Sequence, residues 1–360
     1  MSATKHLMVR EGVPPVKPAL EHTLVALPFT VGDKLQLMPS TPHLRLGVDL
    51  GGTKIESAVL ELLPDTPRTY LERARLRADT EQHRGYDAII ENAKQLVIAT
   101  AREASVELDD LSIGVGMPGG TRRDGLVKNS NTTCLNGRPF RQDLVRALGR
   151  PIAFENDANC FALAETWFGA ASAHRSGVVF GVIMGTGVGG GIVVDGQPWT
   201  GPMGIAGEWG HHTVYAVTPD TPEASEQLRP CYCGKRGCVE VYVSGPAVER
   251  DYARRAGVTL SMADIVARRA SDPAARASCD VFFDAFARGL ANVIDVLDPS
   301  AIVLGGGLSN IDSLYTEGAQ RIAALVFNDE LTTPILRPML GDSAGVIGAA
   351  LLPAARALDA

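Results

Sequence analysis

Long apolar runs are missing from this 360-residue chain. None reaches the roughly 18 residues that a membrane-spanning helix needs. The amino terminus has no basic start, apolar stretch and small-residue cleavage site, so no signal peptide is read and a cytoplasmic location is expected. Positive charge is also in short supply, with 34 Lys and Arg against 41 Asp and Glu. A surface that is acidic on average does not favour phosphate backbones, so no nucleic-acid partner is expected. Six cysteines in a chain this long do not make a disulfide scaffold. The chain also lacks a G-x-x-x-x-G-K-[ST] phosphate loop.

What is abundant is glycine, and it is clustered. The 38 glycines gather at Gly51–Gly52, Gly114–Gly120, Gly185–Gly191, Gly204–Gly210 and Gly305–Gly307. Most of these groups follow apolar, β-prone runs such as Leu44–Leu50, Leu111–Val115, Val178–Met184 and Ala301–Leu304. A strand entering a glycine turn brings bare backbone N–H groups close to a ligand, and several such turns predict a cleft.

Residues 1–43 hold six prolines and little periodicity, and read as an extension of unassigned role. From Leu44 the pattern is strand, Gly51–Lys54 turn, strand, then a helix from Tyr86 to Ala104. The strand Ile152–Phe154 then feeds a helix over Ala158–Ala171. Phe180–Gly196 repeats the plan of Leu46–Leu60, apolar strand, Gly/Thr turn, apolar strand, which predicts two related lobes. A helix with Phe282, Phe286, Leu290, Val293 and Leu297 on one stripe ends at Asp298-Pro299. Alternating strands and helices make the class α/β.

Four motifs carry chemistry. In Asp49-Leu-Gly-Gly-Thr-Lys54 the aspartate interrupts an apolar strand, where a charge is costly unless it binds something. The backbone of Gly51, Gly52, Thr53 and Lys54 suits a nucleotide phosphate, with Asp49 holding Mg2+ through water; a plain turn-capping aspartate is the alternative. Gly185-Thr-Gly-Val-Gly-Gly-Gly191 contains G-x-G-x-x-G, but an apolar strand follows where a dinucleotide site needs a helix. In Glu155-Asn-Asp-Ala-Asn159, Asp157 is either a helix cap or a general base for a hydroxyl, with Asn156 as a hydroxyl clamp. Cys231-Tyr-Cys-Gly-Lys-Arg-Gly-Cys238 places three thiols around two glycines, a knuckle for structural Zn2+ or, alternatively, a disulfide. His211 is the nearest candidate for the fourth ligand, with His212 as its rival. Glu208 and Glu240 flank the knuckle and suit sugar hydroxyls, which donate strong hydrogen bonds to carboxylates.

In their order and spacing these segments, together with Leu304–Asn310 and Gly341–Gly345, resemble the ROK family of sugar kinases. The resemblance covers about residues 44–352. It implies the actin-like (ribonuclease H-like) ATPase fold, with two lobes and a cleft between them. The lobes are expected at 44–155 and 156–342, with a C-terminal helix near 343–358 returning to the first. ATP would lie on Asp49, Gly51, Gly52, Thr53 and Lys54, on Gly185, Thr186 and Gly187, and on Gly305, Gly306 and Gly307. Asp157 would be the catalytic base. Asn131, Asn156, Asp157, Glu208, His211 and Glu240 would hold the sugar, and His211, Cys231, Cys233 and Cys238 a structural zinc. A homodimer is common in the resembled family. The Asn- and Thr-rich loop Val127–Gly137 looks most like the fructokinase branch, so fructose 6-phosphate is the expected product. An N-acetylglucosamine kinase or a glucokinase is the alternative, and a non-catalytic sugar-responsive transcriptional repressor is a further one.

Overall fold

The computed structural model describes residues 43–63, 69–215, 228–328 and 330–352. Residues 1–42 of the expected extension lie outside them, as does the end of the expected C-terminal helix beyond residue 352. No helix of the described residues is long and apolar enough to cross a membrane.

The first glycine turn joins β1 (His43–Leu50) to β2 (Lys54–Leu62) in an antiparallel hairpin that sets Asp49 opposite Glu56. β3 (Tyr70–Asp79) adds to β2. The sequence reading contains no such strand, because Tyr-Leu-Glu-Arg-Ala-Arg-Leu-Arg-Ala-Asp has no clean apolar alternation. It is an edge strand, and its charges serve the pairing: Arg75 and Arg77 both reach Glu56 across the sheet. Helix α1 (Tyr86–Glu103) follows, then β4 (Ser112–Met117), parallel to β1. The polar connection after it holds a small ribbon of β5 (Gly120–Thr121) and β6 (Val127–Lys128). Helix α2 (Phe140–Leu148) and β7 (Ala153–Asn156) complete a sheet in the order β3-β2-β1-β4-β7.

Helix α3 (Asp157–Trp167) leads to a second sheet. Its strands are β8 (Val178–Met184), β9 (Val188–Val194), β10 (Gln197–Pro198), β11 (Ala301–Gly305) and β12 (Ile335–Leu336), in the order β10-β9-β8-β11-β12. Both sheets therefore begin as an antiparallel meander and continue as parallel strands, so the weak repeat in the sequence is a repeat of topology. Between β10 and β11 come the helical turn α4 (Glu240–Val243), α5 (Gly245–Ala256), α6 (Met262–Arg268) and the long α7 (Pro273–Leu297). The last two helices are α8 (Glu317–Ala323) and α9 (Ala344–Leu351).

Each sheet has its own core. Leu46, Val48, Ile55, Ile89, Val97 and Phe140 are buried in the first, and Phe180, Phe282, Phe283, Phe286 and Leu290 in the second. Burial of each large side chain contributes on the order of 1.5–3 kcal/mol. The stripe read on α7 is the face that enters the second core.

Several glycines that looked like ligand turns have a different duty. Gly114 lies in β4, and a Cβ there would stand 1.9 Å from the Ala349 carbonyl oxygen of α9. Gly191 lies in β9, and its Cβ would stand 2.4 Å from the Ala158 oxygen of α3. A Cβ on Gly348 of α9 would stand 1.8 Å from the Cys160 oxygen of α3. These glycines let α3 and α9 lie backbone to backbone on the sheets and on each other.

Helix α3 stops at Trp167, short of the expected Ala171, where Phe168 N closes the last turn on Ala164 O, and the buried Glu165 ties down the chain beyond it. The Glu165 carboxylate accepts hydrogen bonds from the backbone N–H of Ala170 (2.8 Å), Met339 (3.0 Å) and Leu340 (2.9 Å).

Candidate functional site

The N-termini of α3 and α9 bring two carboxylates together. Asp49 ends the apolar run of β1 beside Gly345, where a Cβ would stand 2.4 Å from Asp49 Oδ2. Asp157 is the first residue of α3, just past Asn156, whose Oδ1 accepts from Ala158 N at 2.9 Å. The helix cap is therefore Asn156, and Asp157, although it also accepts from Ala158 N (2.8 Å), keeps carboxylate capacity free. Burial pushes the Asp157 pKa up to about 6, with Glu208 adding repulsion against the hydrogen bond from Ala158. Asp49 is pushed up to about 7, first by burial and then by Asp157 and Glu56. Two desolvated acids, one of them raised further by the other's charge, suit a cation and a proton transfer.

A buried network holds this junction. Glu155 Oε1 accepts from Asn156 N (2.7 Å) and from Asn159 Nδ2 (3.0 Å), and Asn159 Oδ1 accepts from Ile192 N of β9 (3.1 Å). Asn156 Nδ2 donates to the Gly119 carbonyl (3.1 Å), which leaves its side chain fully fixed. Sequence reasoning passed over Glu155 and Asn159, although the i, i+4 spacing of the pair across the strand–helix junction was visible.

The second turn, Gly185–Gly187, is tight, with Gly185 N donating to Gly187 O (2.9 Å). Gly189–Gly191 belong to β9 and not to the turn. Glu240, at the start of α4, accepts from Val188 N (2.9 Å), so one of the expected sugar carboxylates is pinned to the second turn. Gly307 lies by this turn, 4.0 Å from where a Gly185 Cβ would be, and Gly306 takes φ +75° over the Met184 backbone. In the first turn Gly51 N donates to Lys54 O (2.9 Å), while Thr53 and Lys54 are exposed. Asn131 is exposed on its loop beside Thr132, the residue that faces Gly52. The loop is shaped by Asn136, which exchanges hydrogen bonds of 2.9 Å with the Ser130 backbone.

The knuckle closes on itself. One ligand atom each from His211, Cys231, Cys233 and Cys238 lie within 4.8 Å of one another. The Cys233 and Cys238 sulfurs are 3.6 Å apart, as are Cys231 Sγ and His211 Nδ1. A tetrahedron with Zn–S near 2.3 Å has edges of about 3.7 Å, whereas a disulfide needs about 2.05 Å. The spacing fits a tetrahedral ion and not a disulfide. His212 stands outside the cluster, edge-on to Trp209. His211 Nε2 lies 4.0 Å from Glu208 Oε2 and 2.9 Å from the hydroxyl of Tyr232. Tyr232 is exposed, yet burial of its hydroxyl side and the charges of Glu240 and Glu208 raise its pKa to about 12. It stands among three residues expected to hold the sugar, and the motif had suggested only its cysteines. Tyr232→Phe is expected to raise the sugar KM roughly fivefold with kcat within twofold, the loss of about one hydrogen bond. Steady-state kinetics checks this.

The match to the ROK family model runs over residues 45–356. The chain belongs to the ROK family. It is 36% identical over 308 residues to the N-acetyl-D-glucosamine kinase of Yersinia pseudotuberculosis serotype IB (strain PB1/+), covering 85% of this chain and 97% of that relative. Among solved structures, the ROK hexokinase from Thermus thermophilus matches with TM-score 0.72 and 30% identity, covering 86% of this chain and 97% of that one. The ROK family glucokinase from Streptomyces griseus, solved with glucose and AMPPNP, matches with TM-score 0.65 and 28% identity over 85% of this chain and 98% of that one. These likenesses and the two mixed sheets give the actin-like ATPase fold of a ROK family sugar kinase. The fructokinase branch that loop Val127–Gly137 suggested finds no support among them.

Proposed function

We propose that this ROK sugar kinase transfers the γ-phosphate of ATP to the 6-hydroxyl of an N-acetylhexosamine, with N-acetylglucosamine preferred. The observation that carries the kinase chemistry is Asp157, a desolvated carboxylate with its pKa raised to about 6 between Asp49 and Glu208. Similarity over 85% of the chain to an N-acetyl-D-glucosamine kinase favours the acetylated sugar over fructose.

In this reading Asp157 takes the proton of the 6-hydroxyl, and that oxygen attacks the γ-phosphorus in line as the bond to the β-phosphate oxygen breaks. Asn131, Asn156, Glu208, His211 and Glu240 orient the sugar. Gly51 N and Gly185 N close their own turns, so the backbone N–H groups left to hold the phosphates are those of Gly52–Lys54 and of Thr186 and Gly187, and the exposed Gly306 and Gly307 take the adenosine while Gly305 is buried against Phe161. Mg2+ bound to ATP would neutralise phosphate charge, and Asp49 would hold its water shell. A cation there also favours ionised Asp49, reversing the effect of burial. His211, Cys231, Cys233 and Cys238 suit structural Zn2+ because all four tetrahedral positions are filled by protein.

ADP release with N-acetylglucosamine, N-acetylgalactosamine, glucose, mannose and fructose tests the proposal. The highest kcat/KM is expected for N-acetylglucosamine. A tenfold advantage for fructose would restore the fructokinase reading, and no ADP with any sugar would favour the sugar-responsive repressor.

A further inference from the structure

Beside the first turn sits a charge that an anion site should not tolerate. Glu56 is buried in β2 directly opposite Asp49 of β1, so the two carboxylates share one face of the hairpin. Its charge adds to burial and to Asp157 in raising the Asp49 pKa. Left without a counter-charge, Glu56 would also repel a phosphate group on the turn that ends two residues earlier, at Lys54.

The edge strand β3 supplies the counter-charge. Arg77, paired with Glu56 in the sheet register, donates from Nε to Glu56 Oε2 at 2.8 Å, but it is exposed and water screens its charge. Arg75 is more deeply set and donates from Nη1 to the other oxygen, Glu56 Oε1. Its Nε donates to Glu72 Oε1 at 3.0 Å, and its Nη1 also donates to Ser343 Oγ, just before α9, at 2.8 Å. Partners from β2, β3 and the start of α9 thus fix one guanidinium, which stays charged at every working pH. Gly345, two residues beyond Ser343, is the residue that packs on Asp49. Glu56, Glu72, Arg75 and Arg77 together carry no net charge. We propose that Arg75 is a positioning residue for the nucleotide half of the site: from the edge strand it cancels the charge of Glu56 beside Asp49, and so lets the Gly52–Lys54 turn accept an anionic nucleotide. The inference rests on the kinase reading and adds to it a residue that lies outside every motif.

The test is calorimetric titration of the wild-type protein, of Arg75→Met, and of Arg75→Met combined with Glu56→Gln. Each is titrated with Mg-AMPPNP and with N-acetylglucosamine, at low salt and at about 0.5 M salt. Arg75→Met keeps an apolar stem and leaves the cluster with one net negative charge. Relative to wild type at the same salt, it is expected to weaken Mg-AMPPNP roughly fivefold at low salt and less than twofold at high salt. The neutral sugar should bind within about twofold throughout. Glu56→Gln in the same chain restores neutrality, and nucleotide affinity should return to within about twofold of wild type. A purely structural Arg75 gives another pattern: the loss persists at high salt and in the double variant, or falls equally on the sugar. Either of these, or no loss in Arg75→Met, overturns the proposal while wild-type binding of Mg-AMPPNP still stands. A wild-type protein that binds the sugar but no Mg-AMPPNP overturns the kinase reading, and the role of Arg75 with it.

Discussion

Asp157→Asn is expected to lower kcat by roughly a thousandfold or more, with sugar affinity within about threefold of wild type. The amide keeps the size of the side chain and can still accept from Ala158 N, so α3 starts where it did. What disappears is a base of suitable strength. An ordinary aspartate is a weak base at neutral pH, and the desolvated Asp157, with its pKa raised to about 6, is a better one. The same feature sets a pH limb. The working form is the ionised one, so kcat/KM falls as pH drops through about 6, nearly tenfold per unit well below it. Asp157→Asn removes that limb from whatever activity remains. Stopped-time ADP assays from pH 5 to 8 measure both, and a variant with wild-type kcat rejects Asp157 as the base.

Loss of the knuckle ion is expected to have the second-largest effect. Elemental analysis of the purified protein should find about one zinc per chain, and chelation or Cys238→Ser should raise the sugar KM at least about tenfold. The reason is local stitching. Val239 N donates to His212 O (3.1 Å), Val214 N donates to Gly237 O (2.9 Å), and Thr213 bridges Cys238. Glu208 and His211 lie at one end of that seam and Glu240 at the other, so opening it releases three of the expected sugar contacts together. Chelated protein should still melt cooperatively through the core around α1, while the second core, to which Trp209 and Val239 beside the knuckle belong, loses stability. Full sugar affinity in protein shown to be zinc-free rejects the assignment.

Features encoded by neighbours in the chain were legible in the sequence. The two hairpins showed as apolar strand, glycine turn, apolar strand, and both stand in the structure. Asp49 was conspicuous because a charge ended an apolar run, and the cysteines because three fell within eight residues. Features that depend on distant partners were not legible. Nothing near Gly114 or Gly348 announces that Ala349 and Cys160 will press on them. Glu165 reads as one more helical acid until Met339 and Leu340 arrive to use it. β3 was missed because its side chains answer to Glu56 across the sheet and not to an apolar alternation. The choice of His211 over His212 depended on which ring the 209–211 turn aims at the thiols. Tyr232 offered no motif, only a place next to one.

The hydrogen bonds from Asn156 through Glu155 and Asn159 to Ile192 have a consequence for tolerance to mutation. They work as a ruler: Asn156 and Asp157 on one side, and the strand leaving the Gly185–Gly187 turn on the other, are measured from the same carboxylate. In the proposed reaction the spacing between the hydroxyl to be activated and the phosphate to be delivered would depend on these three bonds. Changes elsewhere in either core can shift stability without altering that distance, whereas shortening Glu155 to Asp changes the scale itself.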